Sequence, residues 1–167
     1  NSSLDCRGFT GGMCATNGYA FKAPNGWVLV DAPEGAVNWL EKEGIDPQLI
    51  LLTHQHFDHV LGAGSVSVRF NCPIWAFADY AAELTLESLF NHFEDGDLKI
   101  SPYTIERKIL ETVESAKLKV LGLGIEVVHV PGHSPDSICF YLQEQGLVFG
   151  GDVLFQMGIL SPILSSL

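Results

Sequence analysis

The sequence predicts an α/β fold in which helices cover two β-sheets, and three observations support this. Segments that favour strands alternate with segments of helical periodicity over residues 14–90. Residues 118–150 then form a block of short strand-like segments with glycine turns between several of them. Of the 167 residues, 47% are hydrophobic and 17% charged, which is enough for one hydrophobic core. We therefore expect a single layered domain over residues 1–167.

The first half of the chain predicts a β-hairpin followed by two strand and helix pairs. Residues 1–12 are polar and glycine-rich and form a leading segment before the first strand. The hairpin turn is Pro24-Asn25-Gly26, and Gly44 ends the first helix. The predicted elements are strands at 14–21 and 27–30, a helix at 34–43, a buried strand at 49–53, a weak helix at 60–70, a strand at 73–77, and a helix at 79–90 with Asp79 as N-cap.

The second half begins with a polar stretch, residues 91–108, that we interpret as an insertion or surface lid. It includes the turn sequence Asp95-Gly96-Asp97. The predicted strands after it are residues 118–121, 125–130, 137–142 and 147–150.

Composition excludes several classes of function. The net charge is −11, from 20 acidic and 9 basic residues, and it would repel a nucleic-acid backbone. No apolar run reaches the length of a membrane span, and no signal pattern precedes the first strand, so we expect no membrane partner and a cytoplasmic location. The four cysteines are widely spaced without a CxxC pair, which predicts reduced thiols.

The densest chemistry is the sequence THQHFDH at residues 53–59. Side chains alternate along an extended segment, so we expect His54, His56 and Asp58 to point to one side. If the chain turns into a helix after Asp58, the side chain of His59 can reach a different position in space. Imidazole and carboxylate donors suit zinc, iron or manganese, and burying them without a metal would be costly. The segment therefore predicts a metal site, with room for two adjacent metals.

Two later donors each follow a predicted strand. His133 lies in the sequence PGHS at residues 131–134, and Asp152 follows the glycine pair at 150–151. Either motif alone is a weak signal, because glycine turns after strands are common. Their order after the histidine-rich segment makes them strong candidates for the same site.

Together, THQHFDH, PGHS and GDVLF at residues 151–155 resemble the metallo-β-lactamase superfamily over nearly the whole chain. The sequence is most similar to the glyoxalase II-type, or hydroxyacylglutathione hydrolase-like, members, because Asp152 is present and the residues 133–137 lead directly into a strand. The resemblance implies an αββα sandwich with the metals at one edge of the paired sheets.

The resemblance also implies a role for each donor in a binuclear site, most simply of zinc. His54, His56 and His133 would hold the first metal, and Asp58 and His59 the second. Asp152 would bridge the two, and a hydroxide between the metals would be the nucleophile. Asp58 would in addition be catalytic, taking up a proton after the attack.

The chain departs from the family pattern at one point. The pattern calls for a final metal-binding histidine after the bridging aspartate, and no histidine follows His133. We therefore expect the C-terminal part of the fold to be missing from this sequence and the second metal site to be weak or empty.

We expect a metal-dependent hydrolase that cleaves a small thioester or related ester. One alternative is an oxidoreductase similar to the mononuclear iron persulfide dioxygenases, which share the fold and would need only His54, His133 and Asp152. Another is a fragment that binds metal without turnover.

Some residues keep two interpretations. Asp31 either holds a metal-binding histidine from behind or caps the helix near residue 34. His129 is more simply a core histidine, or one that supports a metal-binding residue, than a ligand itself, and His92 belongs to the polar insertion as a surface or lid residue. The three tryptophans, Trp27, Trp39 and Trp75, are expected in the core.

Overall fold

The first of two β-sheets combines an antiparallel hairpin with parallel strands. The computed structural model describes residues 3–94, 96–110 and 113–153. Within these residues the sheet has six strands, paired in chain order. They are β1 (Cys6–Gly11), β2 (Thr16–Ala23), β3 (Gly26–Val30), β4 (Pro47–Leu51), β5 (Ile74–Ala76) and β6 (Arg107–Lys108). β1 to β3 are antiparallel, and β3 to β6 are parallel.

The second sheet is antiparallel and is built from the last part of the described chain. Its order is β10-β9-β8-β7. The strands are β7 (Ser115–Val120), β8 (Leu123–His129), β9 (Ile138–Leu142) and β10 (Leu147–Phe149). All four strands predicted from the sequence are therefore confirmed, and β7 begins earlier than predicted.

Two hydrophobic cores hold the layers together. The core between the sheets includes Phe21 and Leu51 from the first sheet and Phe140 from the second. The other core joins the outer face of the first sheet to helices α1 (Ala36–Glu43) and α3 (Ala63–Phe70), through residues such as Leu40 and Val66. Burial of apolar side chains from both layers is the main stabilising contribution.

The predicted hairpin and first helix are confirmed. Ala23 pairs with Gly26, which leaves Pro24 and Asn25 as a two-residue turn. Gly44 ends α1 in the left-handed conformation, with φ at 66°. The leading segment was predicted wrongly, because β1 pairs there with β2 as an edge strand despite its glycines.

Two predicted helices differ from their expected bounds. The helix predicted at 60–70 is present as α3, which begins three residues later, and a separate short helix, α2 (Phe57–Val60), precedes it. The helix at 79–90 is divided into α4 (Ala82–Thr85) and α5 (Glu87–Phe93), with Leu86 left-handed between them. The Thr85 hydroxyl donates to the Ala82 carbonyl and accepts from the Glu87 N–H, so a side chain replaces helical backbone bonds.

Three smaller expectations are corrected or confirmed. Ala81, not Asp79, precedes α4, and the Asp79 carboxylate lies 3.4 Å from Lys108 Nζ instead. The tryptophans are half-buried at the edges of the two cores rather than inside them. All four cysteines are unpaired thiols, as predicted. Asp95 of the predicted turn lies outside the described residues.

Candidate metal centre

Four loops at one edge of the paired sheets form the candidate site. Each loop follows the carboxyl end of a strand: Asp31 follows β3, His54 follows β4, His133 follows β8, and Asp152 follows β10. β3 and β4 are parallel, and β8 and β10 flank β9 antiparallel to it, so within each sheet these ends share an edge. The Ile138 N–H donates to the Thr53 carbonyl at 2.8 Å and joins the two edges.

The donors form two groups that share Asp152. The first group contains His54, His56, His133 and Asp152, and the second contains Asp58, His59 and Asp152; one ligand atom of each residue lies within 4.8 Å of the others. The predicted alternation holds for His54 and His56. Asp58 instead lies within α2 and is grouped with His59, because the extended segment ends where the helix begins.

Asp152 contacts both groups through different oxygens. Its Oδ2 lies 2.9 Å from Nε2 of His133 and 3.6 Å from Nε2 of His54. Its Oδ1 lies 3.2 Å from Nε2 of His59. One carboxylate thus faces both candidate cation positions.

Asp31 supports the centre from behind. Its Oδ1 accepts the Thr53 N–H at 2.8 Å, and its Oδ2 accepts the Thr53 hydroxyl at 2.7 Å. Nδ1 of His59 lies 2.7 Å from the same Oδ2. The residue before α1 is Gly35, and no side chain caps that helix. Of the two interpretations of Asp31, contact with a candidate metal-binding histidine is the correct one.

These bonds assign the protons on two histidines. The Thr53 hydroxyl gives its hydrogen to Asp31, so it accepts from Nδ1 of His54 at 3.1 Å. His59 likewise donates from Nδ1 to Asp31. Both imidazoles therefore bond through Nδ1 outside the centre and direct Nε2 into it, and Nε2 is the nitrogen that would bind a metal in its unprotonated form.

The residues fit a divalent cation. Nε2 of His54 is buried and has no hydrogen-bond partner, and a buried polar atom left unpaired is costly. This nitrogen, two further imidazoles and a carboxylate form one donor group that suits zinc or iron. A cation would satisfy the unpaired nitrogen.

The surroundings shift the pKa values of two of the histidines in opposite directions. Burial and two neighbouring imidazoles lower the pKa of His56 to about 4, so this ring is neutral at neutral pH. Burial also acts to lower the pKa of His59, but the carboxylates of Asp31 and Asp152 outweigh it and raise the pKa to about 10. The imidazoles of His54 and His59 hold the pKa of Asp152 well below its usual range, so its charge is retained.

Two further histidines lie outside both groups. The ring of His129 stacks on Phe77 at 4.0 Å, and its Nε2 lies 2.8 Å from the Pro135 carbonyl oxygen. His92 is exposed on α5 beside Phe93.

Thr16 is a site residue that sequence reasoning missed. Its hydroxyl donates to Asp58 Oδ2 at 2.6 Å, across 42 positions of sequence. Thr16 is the first residue of β2, and nothing local to that position indicates its partner. Only the folded arrangement of β2 against α2 reveals the contact.

The sequence profile of the metallo-beta-lactamase superfamily matches residues 11–164. The chain belongs to the metallo-beta-lactamase superfamily. The predicted resemblance and the α/β fold class are both confirmed. The superfamily consists mostly of hydrolytic metalloenzymes, and its members bind divalent metals, commonly zinc or iron.

Individual relatives and solved structures agree with this family assignment. The chain is 33% identical to hydroxyacylglutathione hydrolase GloC of Haemophilus influenzae over 127 residues, which are 75% of this chain and 58% of GloC. BLEG-1 B3 metallo-beta-lactamase superposes with a TM-score of 0.72 and 26% identity, over 91% of this chain and 74% of BLEG-1. TTHA1623, solved in a di-iron-bound form, superposes with a TM-score of 0.66 and 27% identity, over 86% of this chain and 70% of TTHA1623.

Within the described part of the chain, none of the helices combines the length and the apolar character that crossing a bilayer requires.

Proposed function

We propose that this superfamily member is a metal-dependent hydrolase of a small thioester or related ester. The observation that carries the proposal is the sharing of Asp152 between two donor groups, with the unpaired Nε2 of His54 facing it. Similarity to a hydroxyacylglutathione hydrolase supports the substrate class, because an acyl-glutathione is a thioester. The chain spans little more than half the length of that relative.

In this proposal, His54, His56 and His133 bind one cation, Asp58 and His59 bind another, and Asp152 contacts both. The first group offers four donors and the second three, so the second cation binds more weakly. Zinc is the proposed metal, and iron or manganese would suit the same donors. A cation bound there would supply a water of lowered pKa and polarise the substrate carbonyl.

The side chains of the chain itself then have defined tasks. Asp31 keeps the Nδ1 protons of His54, through Thr53, and of His59 directed away from the centre. Thr16 holds the carboxylate of Asp58, which we assign to accept the proton released from water. In the net reaction a carbon–oxygen bond forms to water and the carbon–sulfur bond breaks. The proton reaches the leaving thiolate, giving a carboxylic acid and a thiol.

The test combines elemental analysis of chain purified without chelator with an assay of thiol release from an acyl-glutathione. We expect bound zinc, thiol release, loss of both after chelation, and recovery of both on adding zinc. Bound metal without thiol release would contradict the hydrolase and favour a metal-binding fragment.

The oxidoreductase alternative has one observation in its favour. His54, His133 and Asp152, the three donors that it requires, all lie in the first group. A single iron per chain with oxygen uptake on addition of glutathione persulfide would favour it over the hydrolase.

A further inference from the structure

Asp136 is a buried carboxylate in the loop between β8 and β9, three residues after His133. It is 2% exposed, although aspartate is seldom buried unless it is paired. Its Oδ2 accepts the backbone N–H of Gln55 at 2.9 Å, and its Oδ1 accepts the hydroxyl of Ser134. Both oxygens are therefore used inside the protein.

The two partners of Asp136 lie beside the donors of the first group. Gln55 stands between His54 and His56 in the chain, and Ser134 directly follows His133. Gln55 and Asp136 are 81 positions apart, so this contact joins the two sheets. One carboxylate thus connects the segments that carry all three histidines of that group.

The Gln55 side of this connection is fixed independently. Its Nε2 donates to the Ala78 carbonyl at 3.0 Å and the Asp79 carbonyl at 3.2 Å, and its Oε1 accepts from the Tyr103 hydroxyl at 2.8 Å. Gln55 is completely buried. Loss of Asp136 would therefore leave the Gln55 segment in place and release the His133 loop, which is more exposed.

We propose that Asp136 is a positioning residue that fixes the His133 loop against the His54-to-His56 segment, so that the first donor group is preorganised for its cation. The inference rests on the metal binding proposed above. Residues that orient metal ligands typically change metal affinity by ten- to a hundredfold when they are removed.

The experiment measures zinc affinity by competition with a chromophoric chelator. We expect Asp136→Ala to weaken the first zinc equivalent ten- to a hundredfold. Asp136→Asn should restore most of the affinity, because its Oδ1 can accept from Gln55 while its amide donates to the Ser134 oxygen. The matched control is Glu106→Ala, which also removes a carboxylate that accepts a backbone N–H, that of Ile74, away from the donors.

A second variant covers the case in which Asp136→Ala does not fold. Ser134→Ala removes only one of the two bonds and should weaken the first zinc equivalent by a smaller factor than Asp136→Ala would. Affinity equal to that of the unmodified chain in the folded variants, or a loss no larger than in Glu106→Ala, would overturn the role of Asp136 alone. An unmodified chain that binds no zinc would overturn the proposed metal centre as well.

Discussion

Nδ1 of His59 lies 2.7 Å from Oδ2 of Asp31, and both side chains are 3% exposed. The same carboxylate accepts two hydrogen bonds from Thr53, the residue before His54. Asp31 has positive φ, 58°, a conformation that is strained for a residue other than glycine. Asp31 thus combines a strained backbone with a buried carboxylate that accepts three hydrogen bonds, and it is therefore central to the stability of this edge.

Replacing Asp31 with alanine is expected to destabilise the fold by about 3 to 5 kcal/mol, because it leaves a buried imidazole and two Thr53 donors without their acceptor. Urea unfolding measures the change in the free energy of unfolding. The control is Asp79→Ala, because Asp79 forms an exposed ion pair with Lys108 and should cost less than about 1 kcal/mol. Equal losses in the two variants would contradict this view of Asp31.

Replacing His54 with alanine is expected to remove metal from the first donor group, because its buried Nε2 is aimed at the centre and has no other partner. Elemental analysis after dialysis against buffer with trace zinc measures the bound metal. His92→Ala is the matched control, since His92 is exposed and belongs to neither group. Undiminished zinc in His54→Ala would show that the cation is held elsewhere.

The sequence was informative about this centre wherever the signal was local. His54, His56, Asp58 and His59 lie within six residues, so their chemistry is visible in one short segment. The sequence left two interpretations of Asp31 open, because the choice between them is set by which side chains after β4 and in α2 approach the end of β3. Asp136 and Thr16 gave no signal, since each acts on a segment far away in sequence.

The fold shows the same division between local and distant causes. The hairpin at Pro24 and Asn25 and the end of α1 at Gly44 follow from turn chemistry and were predicted. β1 was missed because its glycines disfavour a strand in isolation, and pairing with β2 stabilises it. The break at Leu86 was missed because it depends on hydrogen bonds of the Thr85 hydroxyl.

Replacing Gly151 with alanine is expected to displace the Asp152 loop. Gly151 has φ of 53°, and a Cβ there would collide with the Thr53 hydroxyl and lie 3.3 Å from Nδ1 of His54. Gly146 is a matched control, because its φ is 64° and nothing lies within 4 Å of its Cβ position. An alanine at either position would have a left-handed backbone, so both variants carry the same strain of about 1 to 2 kcal/mol.

The difference between these two variants measures the close approach alone. We expect Gly151→Ala to lose about 1 to 3 kcal/mol more than Gly146→Ala in urea unfolding, as overpacking usually does. It should also bind zinc less tightly, because Asp152 follows directly. Identical stability and zinc affinity in the two variants would mean that the loop adapts without cost.

The stability of the fold should decline with rising pH in part because of Cys72. Burial raises the pKa of this thiol to about 11, whereas an unfolded cysteine ionises near pH 8.5. Between about pH 8.5 and 11 the unfolded chain therefore binds fewer protons than the folded one, and stability falls as pH rises. The stabilisation is fully present below about pH 8.5.

Urea unfolding of the unmodified chain and Cys72→Ala at several pH values tests this expectation. The stability advantage of the unmodified chain should shrink as the pH rises from about 8 to about 11, because the variant has no thiol to ionise at this position. Cys139, whose pKa burial also raises to about 11, remains in both proteins and contributes equally. An advantage that stays constant with pH would contradict the prediction.

The shared position of Asp152 has a consequence for the chain as a polymer. Asp152 and His59 are 93 positions apart, and a cation held by both would cross-link them as a disulfide does. Closing a loop of this length lowers the conformational entropy of the unfolded chain, which stabilises the folded state by about 4 to 5 kcal/mol. A chelator would then act on this protein as a reductant acts on a secreted one, releasing a cross-link that limits how far the two sheets can separate.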